Sequence, residues 1–390
     1  MIALLLLLAQ DWPQWLGPTR DGVSTERVAP WKDTPAALWK VEVGEGHSSP
    51  IVAGGRVYLH AKIKGKDEET VAAYDVATGK ELWSKTYPRA AFQSPFGLGP
   101  RATPIVSGGK LFTFGVTGLL TAWDVEGKQL WQVDTLKEFG AKNLTFGVSC
   151  SPLVVDGLLF LNVGGKGASV VAFAVDSGKK VWSSLDDKAS YSSPVVLSGQ
   201  LVAQTQAGVV GMSTSDGTPL WSFPLVDKLS ESSITPILAG GLVIASSVTY
   251  GSAGIKVEGK TATAAWKNPA LTCYISTPMP VGPEHVYMVT GTILGPPTAT
   301  LRCVEAATGK ILWSRPNVGT YHASLTKTAD GKLLMLDDKG GLALLEPDPA
   351  AYKELASAKI CGGTWAHPAL TGGSLYVRDQ SSLICVKLAP

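Results

Sequence analysis

The residues best suited to chemistry in this sequence occupy one repeated position. Most copies of a recurring phrase contain a proline, as in HSSPIVAGG and RATPIVSGG, and the residue three places before it changes from copy to copy. Down the chain this first column reads His47, Arg101, Ser149, Tyr191, Ser233, Ile275, His322 and Trp365. Arginine can hold an anion with two hydrogen bonds, and aromatic rings can stack on a flat ligand. The column therefore predicts a site for an anionic or aromatic ligand. The alternative is that eight repeated positions contain mixed residues by chance.

A second column lies immediately before the same prolines. It is rich in hydroxyl groups and reads Ser49, Thr103, Ser151, Ser193, Thr235, Thr277, Ser324 and His367. Small hydroxyls bond to turn amides and fit a crowded axis, so we expect a structural role for the Ser and Thr members. His367 departs from that series. The candidate ligand-binding residues are therefore His47, Arg101, Tyr191, His322, Trp365 and His367.

Acidic residues are missing from both columns, which bears on metal chemistry. A calcium ion takes roughly six to eight oxygen ligands, carboxylates among them. Neither column contains Asp, Glu or Asn, and the nearby acids Glu45 and Glu231 stand two residues earlier, where we expect them to be solvated. The five cysteines are far apart and form no CxxC pair, so we expect buried small apolar side chains rather than metal ligands. We predict no metal site and no catalytic residue.

The elements that must position these columns are repeated strands. A tryptophan ends a phrase such as VAAYDVATGKELW at intervals of roughly 40 to 50 residues. The series is Trp39, Trp83, Trp131, Trp182, Trp221, Trp266 and Trp313, with Leu355 in the last place. Each unit contains four short alternating segments separated by Gly-rich turns, which predicts a four-stranded antiparallel sheet. A lone sheet cannot bury both faces, so the units must stack as in a β-propeller, with both columns at one mouth of the central channel.

The residues of the repeated phrase each have a structural role. Gly79 and Gly309 in the TGK turns can adopt the positive φ of a tight hairpin, and Asp75 can bond to turn amides. The tryptophan then falls on the outermost strand, where its large ring can pack against the neighbouring sheet. The phrase is therefore predicted to be a packing motif.

The count of units predicts eight blades. Seven complete units end near Ile360, and WAHPALTGGSLYVRDQSSLICVKL then supplies three more strands. The missing fourth strand is AALWKVEV at residues 36–43, so the two ends of the chain would complete one blade and hide both sheet edges. Seven blades is the alternative if the weakly matching unit at 321–360 is misread. We expect an all-β chain with a single propeller domain over residues 36–390.

The N-terminus and the charge bear on location and partners. Residues 1–10, MIALLLLLAQ, are an apolar run too short to span a bilayer, which we interpret as the remnant of an export signal, with a buried strand as the alternative. Residues 11–35 form an extension. The net charge is +2 and the basic residues are scattered, so the sequence contains no basic cluster of the kind that binds nucleic acid. We expect an exported monomer, periplasmic or secreted, with no transmembrane anchor and no nucleic-acid partner.

The AxDxxTGKxLW phrase resembles the pyrroloquinoline-quinone-like propeller repeats, which occur in quinoprotein alcohol dehydrogenases and in the outer-membrane assembly lipoprotein BamB. The segments DWPQWLGPTRDGVSTE, FGLGPRATP and NVGGKG are similar to a branch of exported propellers abundant in planctomycete-type bacteria. The resemblance extends over residues 11–390. It implies the fold strongly and the activity weakly, because enzymes and scaffolds share this packing motif.

The resemblance leaves two functional classes open. The first is a non-catalytic exported scaffold that binds a protein or cell-envelope partner, like BamB, and needs no cofactor. The second is a dehydrogenase that uses pyrroloquinoline quinone and calcium. Enzymes of that kind hold calcium with Glu, Asn and Asp side chains, use an Asp base and often have a disulfide between adjacent cysteines. This chain has no adjacent cysteines and no acid in either column, so the first class is favoured.

Overall fold

Eight four-stranded antiparallel sheets form the molecule, which confirms the predicted eight-bladed β-propeller. This computed structural model describes residues 11–291 and 297–388, so the expected export signal at residues 1–10 lies outside the described residues. We number the sheets as blades 1 to 8 in chain order, starting with the sheet that contains Ile51. Within the described ranges, no helix has the length and apolar character needed to cross a membrane.

The strands follow one another with short connections. The strand that completes the last blade comes first and is β1 (Ala37–Glu42). Blades 1 to 4 consist of β2 (Ile51–Ala53), β3 (Arg56–Lys62), β4 (Glu68–Asp75), β5 (Glu81–Pro88); β6 (Ile105–Ser107), β7 (Lys110–Phe114), β8 (Leu119–Asp124), β9 (Gln129–Asp134); β10 (Leu153–Val155), β11 (Leu158–Gly165), β12 (Ala168–Ala174), β13 (Lys180–Ser184); and β14 (Val195–Leu197), β15 (Gln200–Gln204), β16 (Gly208–Met212), β17 (Pro219–Pro224). A short helix, α1 (Thr135–Glu138), follows β9.

The second half of the chain repeats this plan. Blades 5 to 8 consist of β18 (Ile237–Ala239), β19 (Leu242–Ser247), β20 (Gly251–Glu258), β21 (Thr261–Asn268); β22 (Met279–Val281), β23 (His285–Thr290), β24 (Ala299–Glu305), β25 (Ile311–Gly319); β26 (Ala323–Lys327), β27 (Leu333–Asp337), β28 (Gly341–Leu345), β29 (Glu354–Lys359); and β30 (Ala369–Thr371), β31 (Ser374–Arg378), β32 (Ser382–Lys387) with β1.

The two ends of the chain meet in blade 8. Strand β1 pairs antiparallel with β32, with Trp39 opposite Cys385 and Glu42 opposite Ser382. The first strands of neighbouring blades contact one another, as β2 does with β30, so they surround the central channel. Blade 7 has all four of its strands. The closure by the N-terminal strand is confirmed, and the seven-blade alternative is wrong.

The hydrophobic core is divided among the interfaces between blades. Phe112 of β7 and Leu159 of β11, for example, are fully buried in one cluster. The five cysteines are also buried and form no disulfide in the described structure, as expected for small apolar side chains. Because each interface needs both of its sheets, the blades depend on one another for stability.

The repeated tryptophans join neighbouring blades. Trp83 of blade 1 donates its Nε1 hydrogen to the carbonyl of Val125 in blade 2, at 3.0 Å. Its ring lies on the turn glycine Gly127, where an added Cβ would come within 2.7 Å of the ring, and Gly127 has φ +85°. Trp39 makes the same contact with Gly79 of blade 1. The glycine is therefore required both for the turn and for the close approach of the ring, which confirms the packing motif.

Blade 7 corrects one assignment. The sequence predicts Leu355 in the tryptophan position, but the strand register shows Ala356 there. Ala356 pairs with Leu344 next to the bulge, as Trp83 pairs with Ala73 in blade 1. Leu355 corresponds to Leu82 and is 38% exposed. The phrase KELASAKI simply has Ala after its Glu-Leu pair where the other copies have Trp.

The hydroxyl column forms a ring of hydrogen bonds between blades. The backbone N–H of Thr103 donates to Ser151 Oγ at 2.9 Å, and that of Ser151 donates to Ser193 Oγ at 2.9 Å. The ring passes through the composite blade, since the N–H of His367 donates to Ser49 Oγ at 2.9 Å. The expected structural role is confirmed at these positions, with the difference that the amides belong to the neighbouring blade.

Residues 11–28, which we call the N-terminal plug, close the channel from the side opposite the mouth. The backbone of Trp12 exchanges hydrogen bonds with Val52 of blade 1, and the carbonyl of Pro13 accepts from Val106 of blade 2. Further along, Ser24 Oγ donates to the carbonyl of Leu370 in blade 8 at 2.8 Å. The plug thus continues the ring of contacts around the axis.

Arg20 is a buried anchor of the plug. Its guanidinium donates to the carbonyls of Ser151 and Pro152 in blade 3 at 2.7 and 3.0 Å, and to that of Pro194 in blade 4 at 2.8 Å. Burial lowers the pKa of Arg20 to about 10, so the side chain stays charged near neutral pH. The sequence predicted an extension at residues 11–35 but not its place inside the channel.

Candidate functional site

The mouth of the channel is a pocket of about 360 Å³, on the face where the loops enter the innermost strands. Its floor is Trp15 of the N-terminal plug, whose Nε1 donates to Thr235 Oγ1 at 3.0 Å. We call this cavity the mouth pocket. It is lined by Trp15, His47, Phe96, Arg101, Phe146, Ser149, Ser151, Tyr191, Ser193, Glu231, Ser233, Tyr274, Ile275, Tyr321 and Trp365.

Four of the six predicted site residues meet in this pocket. His47, Arg101, Tyr191 and Trp365 all contribute to its lining, from blades 1, 2, 4 and 8. Their convergence follows from the fold, because the loops before the innermost strands share one face. The structure therefore places these four side chains on one cavity, while what they bind stays a prediction.

His322 and His367 do not line the pocket, contrary to their expected place at the mouth. They are 2% and 3% exposed, and Trp15 covers His367 edge-on with ring centroids 4.8 Å apart. His322 Nδ1 lies 2.8 Å from Ser276 Oγ. Burial lowers the pKa of His322 to about 4 and that of His367 to about 3, so both rings are neutral near pH 7. The neighbouring Tyr321 reaches the pocket in place of His322.

Arg101 holds the loops of the pocket together. It donates to the carbonyls of Phe96 at 3.1 Å and Gly97 at 3.0 Å, to Ser94 Oγ at 3.3 Å, and through Nε to the carbonyl of Phe146. A guanidinium has five N–H groups, so these contacts engage most of them. Burial lowers the pKa of Arg101 to about 10, and the side chain remains a cation. The two-bond contact with an anion expected from the sequence would require these loop contacts to break.

Aromatic rings form a continuous wall on one side of the pocket. Trp365 stacks on His47 at 5.2 Å and 26°, and it contacts Phe96 at 5.5 Å and Tyr321 at 5.7 Å. Phe96 continues the wall to Phe146 at 5.5 Å. Burial, followed by the charge of Arg101, lowers the pKa of His47 to about 3. His47 is therefore neutral, and its Nε2 carries a hydrogen toward the carbonyl of Phe96, at 2.9 Å.

Glu231 provides the negative charge of the pocket. Its Oε2 accepts the hydroxyl hydrogen of Tyr274 at 2.8 Å. The loop is held by buried Asp227, which accepts the N–H groups of Glu231 at 2.7 Å and Leu229 at 3.1 Å. The sequence placed Glu231 in solvent, and this was wrong: the residue is half-buried and lines the cavity. Glu45 has a side chain 37% exposed and lies 3.7 Å from Lys62 Nζ, so it belongs to the surface nearby.

The two charged groups of the pocket come from the loops of different blades, Arg101 from the loop before blade 2 and Glu231 from the loop before blade 5. Burial raises the pKa of Tyr191; the negative charge of Glu231 acts in the same direction, and the positive charge of Arg101 opposes it. Tyr191 also contacts Phe146, with ring centroids 5.7 Å apart. The pocket is thus polarised, with a cation on the side of blades 1 and 2 and a carboxylate on the side of blades 5 and 6.

Sequence reasoning missed most of the aromatic lining. Phe96, Phe146, Tyr274 and Tyr321 stand within five residues before a first-column residue or directly beside one. Aromatic residues in the loops just before that column were the available signal. Trp15 left no such signal, because it is remote in sequence and reaches the pocket from the plug.

Comparison with known proteins gives both sequence and structural relatives. The family model described as "Outer membrane protein assembly factor BamB" matches residues 24–200 and 67–315. The outer membrane protein assembly factor BamB of Burkholderia pseudomallei (strain K96243) is 24% identical over 364 residues, which cover 88% of this chain and 85% of that protein.

Solved structures show the same architecture. BamB from Moraxella catarrhalis superposes with a TM-score of 0.62 at 15% identity, covering 91% of this chain and 98% of that one. The quinohemoprotein alcohol dehydrogenase from Comamonas testosteroni gives a TM-score of 0.72 at 14% identity, covering 97% and 81%. At such identities the likeness to these structures concerns the fold, which binding proteins and enzymes share.

Proposed function

Because this chain belongs to the family described as outer membrane protein assembly factor BamB, whose model matches more than half of its length, we propose that it is a non-catalytic binding scaffold of the cell envelope. Its partner is a protein, bound on the face that carries the mouth pocket. It acts as an exported monomer, in the periplasm or secreted.

The mouth pocket is the observation that carries this proposal. Its floor is fixed by the N-terminal plug, and its walls come from loops that differ from blade to blade. Variable loops on a rigid scaffold are where folds of this kind place recognition. Partly exposed aromatic side chains such as Phe96, at 38% exposure, and half-buried Trp365 are typical anchors of protein interfaces.

The alternative is a dehydrogenase that uses pyrroloquinoline quinone and calcium, since the fold neighbours include quinohemoprotein alcohol dehydrogenase. The residues of the pocket do not fit calcium. One carboxylate, Glu231, lines the cavity, and one of its oxygens already accepts from Tyr274. Across the described ranges, no three His, Cys, Asp or Glu side chains are grouped to hold a metal ion. We therefore propose no metal and no quinone for this scaffold.

Photo-crosslinking in cells tests the binding face. A photoreactive p-benzoyl-phenylalanine replaces Phe96 at the pocket rim or, as a control, Leu82 on the outer wall, where 46% of the residue is exposed. We expect position 96 to give a defined adduct with an envelope protein that, once purified, binds the wild type and binds Trp365→Ala about tenfold more weakly. Adducts from position 82 alone would move the interface to the outer wall and contradict the proposal.

Titration with quinone and calcium tests the alternative. The purified protein is offered both, and its absorbance and alcohol-dependent dye reduction are followed. We expect neither to change. Micromolar binding with turnover would overturn the scaffold in favour of the enzyme. Cell fractionation tests export in the same strain, and a cytoplasmic product would contradict that part of the proposal.

A further inference from the structure

The mouth pocket combines a cavity with a carboxylate that forms no ion pair within the described part of the chain. Glu231 lines the cavity, and among the described residues its carboxylate accepts one hydrogen bond, from Tyr274. Over residues 11–291 and 297–388, neither Glu231 nor Asp227 behind it is paired with Lys, Arg or His. A half-buried carboxylate is stabilised by a positively charged partner. Here such a partner can reach the carboxylate from the cavity.

The rest of the cavity is suited to the same kind of partner. The electron-rich faces of tyrosine, phenylalanine and tryptophan attract cations, most strongly where water is excluded. Tyr274 is hydrogen-bonded to Glu231. The aromatic lining of the same pocket runs from Tyr191 through Phe146 and Phe96 to Trp365. A volume of about 360 Å³ is at the small end for a ligand site. It fits a long side chain rather than an extended peptide or a large cofactor.

The pocket's own cation does not satisfy Glu231. Arg101 directs its guanidinium to the carbonyls of Phe96, Gly97 and Phe146. The charges of Glu231 and Arg101 act in opposite directions on the pKa of Tyr191. Arg101 thus fixes the loops on one side and leaves the carboxylate side unneutralised. It also disfavours a cation near its own position, which restricts a positive ligand group to the wall of Glu231 and Tyr274.

We propose that the mouth pocket binds a basic side chain, lysine or arginine, presented by the protein partner. The charged end lies at Glu231 and Tyr274, and the aliphatic stem covers the aromatic wall that ends at Trp365. This rests on the proposed scaffold function and specifies what that scaffold recognises.

Other ligand classes fit the pocket less well. An anion would meet Glu231 without a free guanidinium, since Arg101 is engaged by the loops. A neutral aromatic group would satisfy the rings but would cover the open side of Glu231, leaving a desolvated carboxylate without a partner. A basic side chain satisfies both the rings and the carboxylate.

Short capped peptides with matched charge test the proposal. The probes are Ac-Gly-Gly-Arg-Gly-Gly-amide and the same peptide with citrulline, which keeps the shape of arginine but has no charge; lysine and acetyl-lysine form a second pair. Binding is read from the indole N–H signals of Trp15 and Trp365 in tryptophan-labelled protein, with Trp365→Phe used for assignment. We expect the charged peptides to bind at least about tenfold more tightly than the neutral ones.

Two variants of equal charge change locate the site. Glu231→Gln keeps an acceptor for Tyr274 and should weaken the arginine peptide by about tenfold, toward the citrulline value. Glu138→Gln changes an exposed residue of α1 outside the pocket and should leave binding unchanged. Added salt should weaken the charged peptides in wild type.

Each failure has a separate meaning. Equal binding of arginine and citrulline peptides, or an unchanged affinity in Glu231→Gln with an intact melting curve, would overturn the basic-side-chain proposal. Absence of any peptide binding, while the Phe96 crosslink still identifies a protein partner, would also overturn it but would leave the scaffold standing. Quinone binding with turnover would remove the scaffold itself.

Discussion

Replacing Arg20 by alanine should detach the N-terminal plug from the channel. Arg20 is 4% exposed, and its guanidinium donates to three backbone carbonyls at 2.7, 2.8 and 3.0 Å. Hydrogen bonds to a charged group contribute roughly 1.5 to 3 kcal/mol each. Desolvation of the charge, which lowers the pKa of Arg20 to about 10, offsets part of that sum. We therefore expect Arg20→Ala to lower the free energy of unfolding by about 4 kcal/mol, which is what three such bonds leave after that offset.

Denaturant unfolding measures this loss, and limited proteolysis shows where it acts. Cleavage should appear within residues 11–35 of Arg20→Ala before the blades unfold, since the plug is held mainly by contacts around the axis. The matched control is Arg27→Ala in the same segment, because Arg27 is exposed and should change stability by less than about 0.5 kcal/mol. A loss below about 1 kcal/mol in Arg20→Ala, with no early cleavage, would refute the role of this residue as the anchor of the plug.

Three further predictions concern the blades and the buried histidines. Trp83→Ala should lower the free energy of unfolding by about 3 kcal/mol, because it removes the ring from the Gly127 turn and the hydrogen bond to the Val125 carbonyl. Leu355→Ala, the control, should lower it by less than about 1 kcal/mol. Equal losses in denaturant unfolding would contradict the packing motif. His322 and His367, with pKa values lowered by burial to about 4 and about 3, stay neutral in the folded protein, while the unfolded chain takes up protons below about pH 6.5. Stability should therefore fall by about 3 kcal/mol per histidine as the pH drops from about 6.5 to about 4, and His367→Asn should flatten this slope in unfolding midpoints; an unaltered slope would contradict the assignment. Deletion of residues 11–43 removes the plug and β1 and exposes the edge of β32, so light scattering should show aggregation; a monomer with an unchanged melting curve would exclude the composite blade as the closing element.

The sequence by itself determined the blades and their number. A period-two pattern of apolar residues specifies strands locally, and Gly-rich turns fix the hairpins between them. The TGK glycine and the following tryptophan are neighbours in space across blades because every unit repeats the same geometry. The repeated motif therefore contains both partners of the contact between blades. Even the composite blade could be predicted, from three strands at one end of the chain and one at the other.

The sequence also located part of the site. His47, Arg101, Tyr191 and Trp365 occupy one position of the repeat, and the axis of the propeller brings that position to one mouth. It could not determine which side chains reach the cavity. His322 and His367 occupy the two columns but are buried, while Tyr321 and Glu231 stand outside them and line the pocket. Loop conformation decides this, and it depends on contacts such as those of Arg101 and Asp227 with backbone groups.

Only the tertiary structure decided what closes the channel. The residues of the plug carry no repeat and contact residues far away in sequence, such as Val52 for Trp12, 40 positions away, and Leu370 for Ser24, 346 positions away. Arg20 is charged and would be assigned to the surface from its type, yet its donors meet carbonyls that converge only when blades 3 and 4 stand side by side. Periodic contacts can be predicted from a repeated sequence, because the residues that form them recur at the same position in each copy. A contact made once, between a unique segment and the axis of the assembled ring, has no second copy to reveal it.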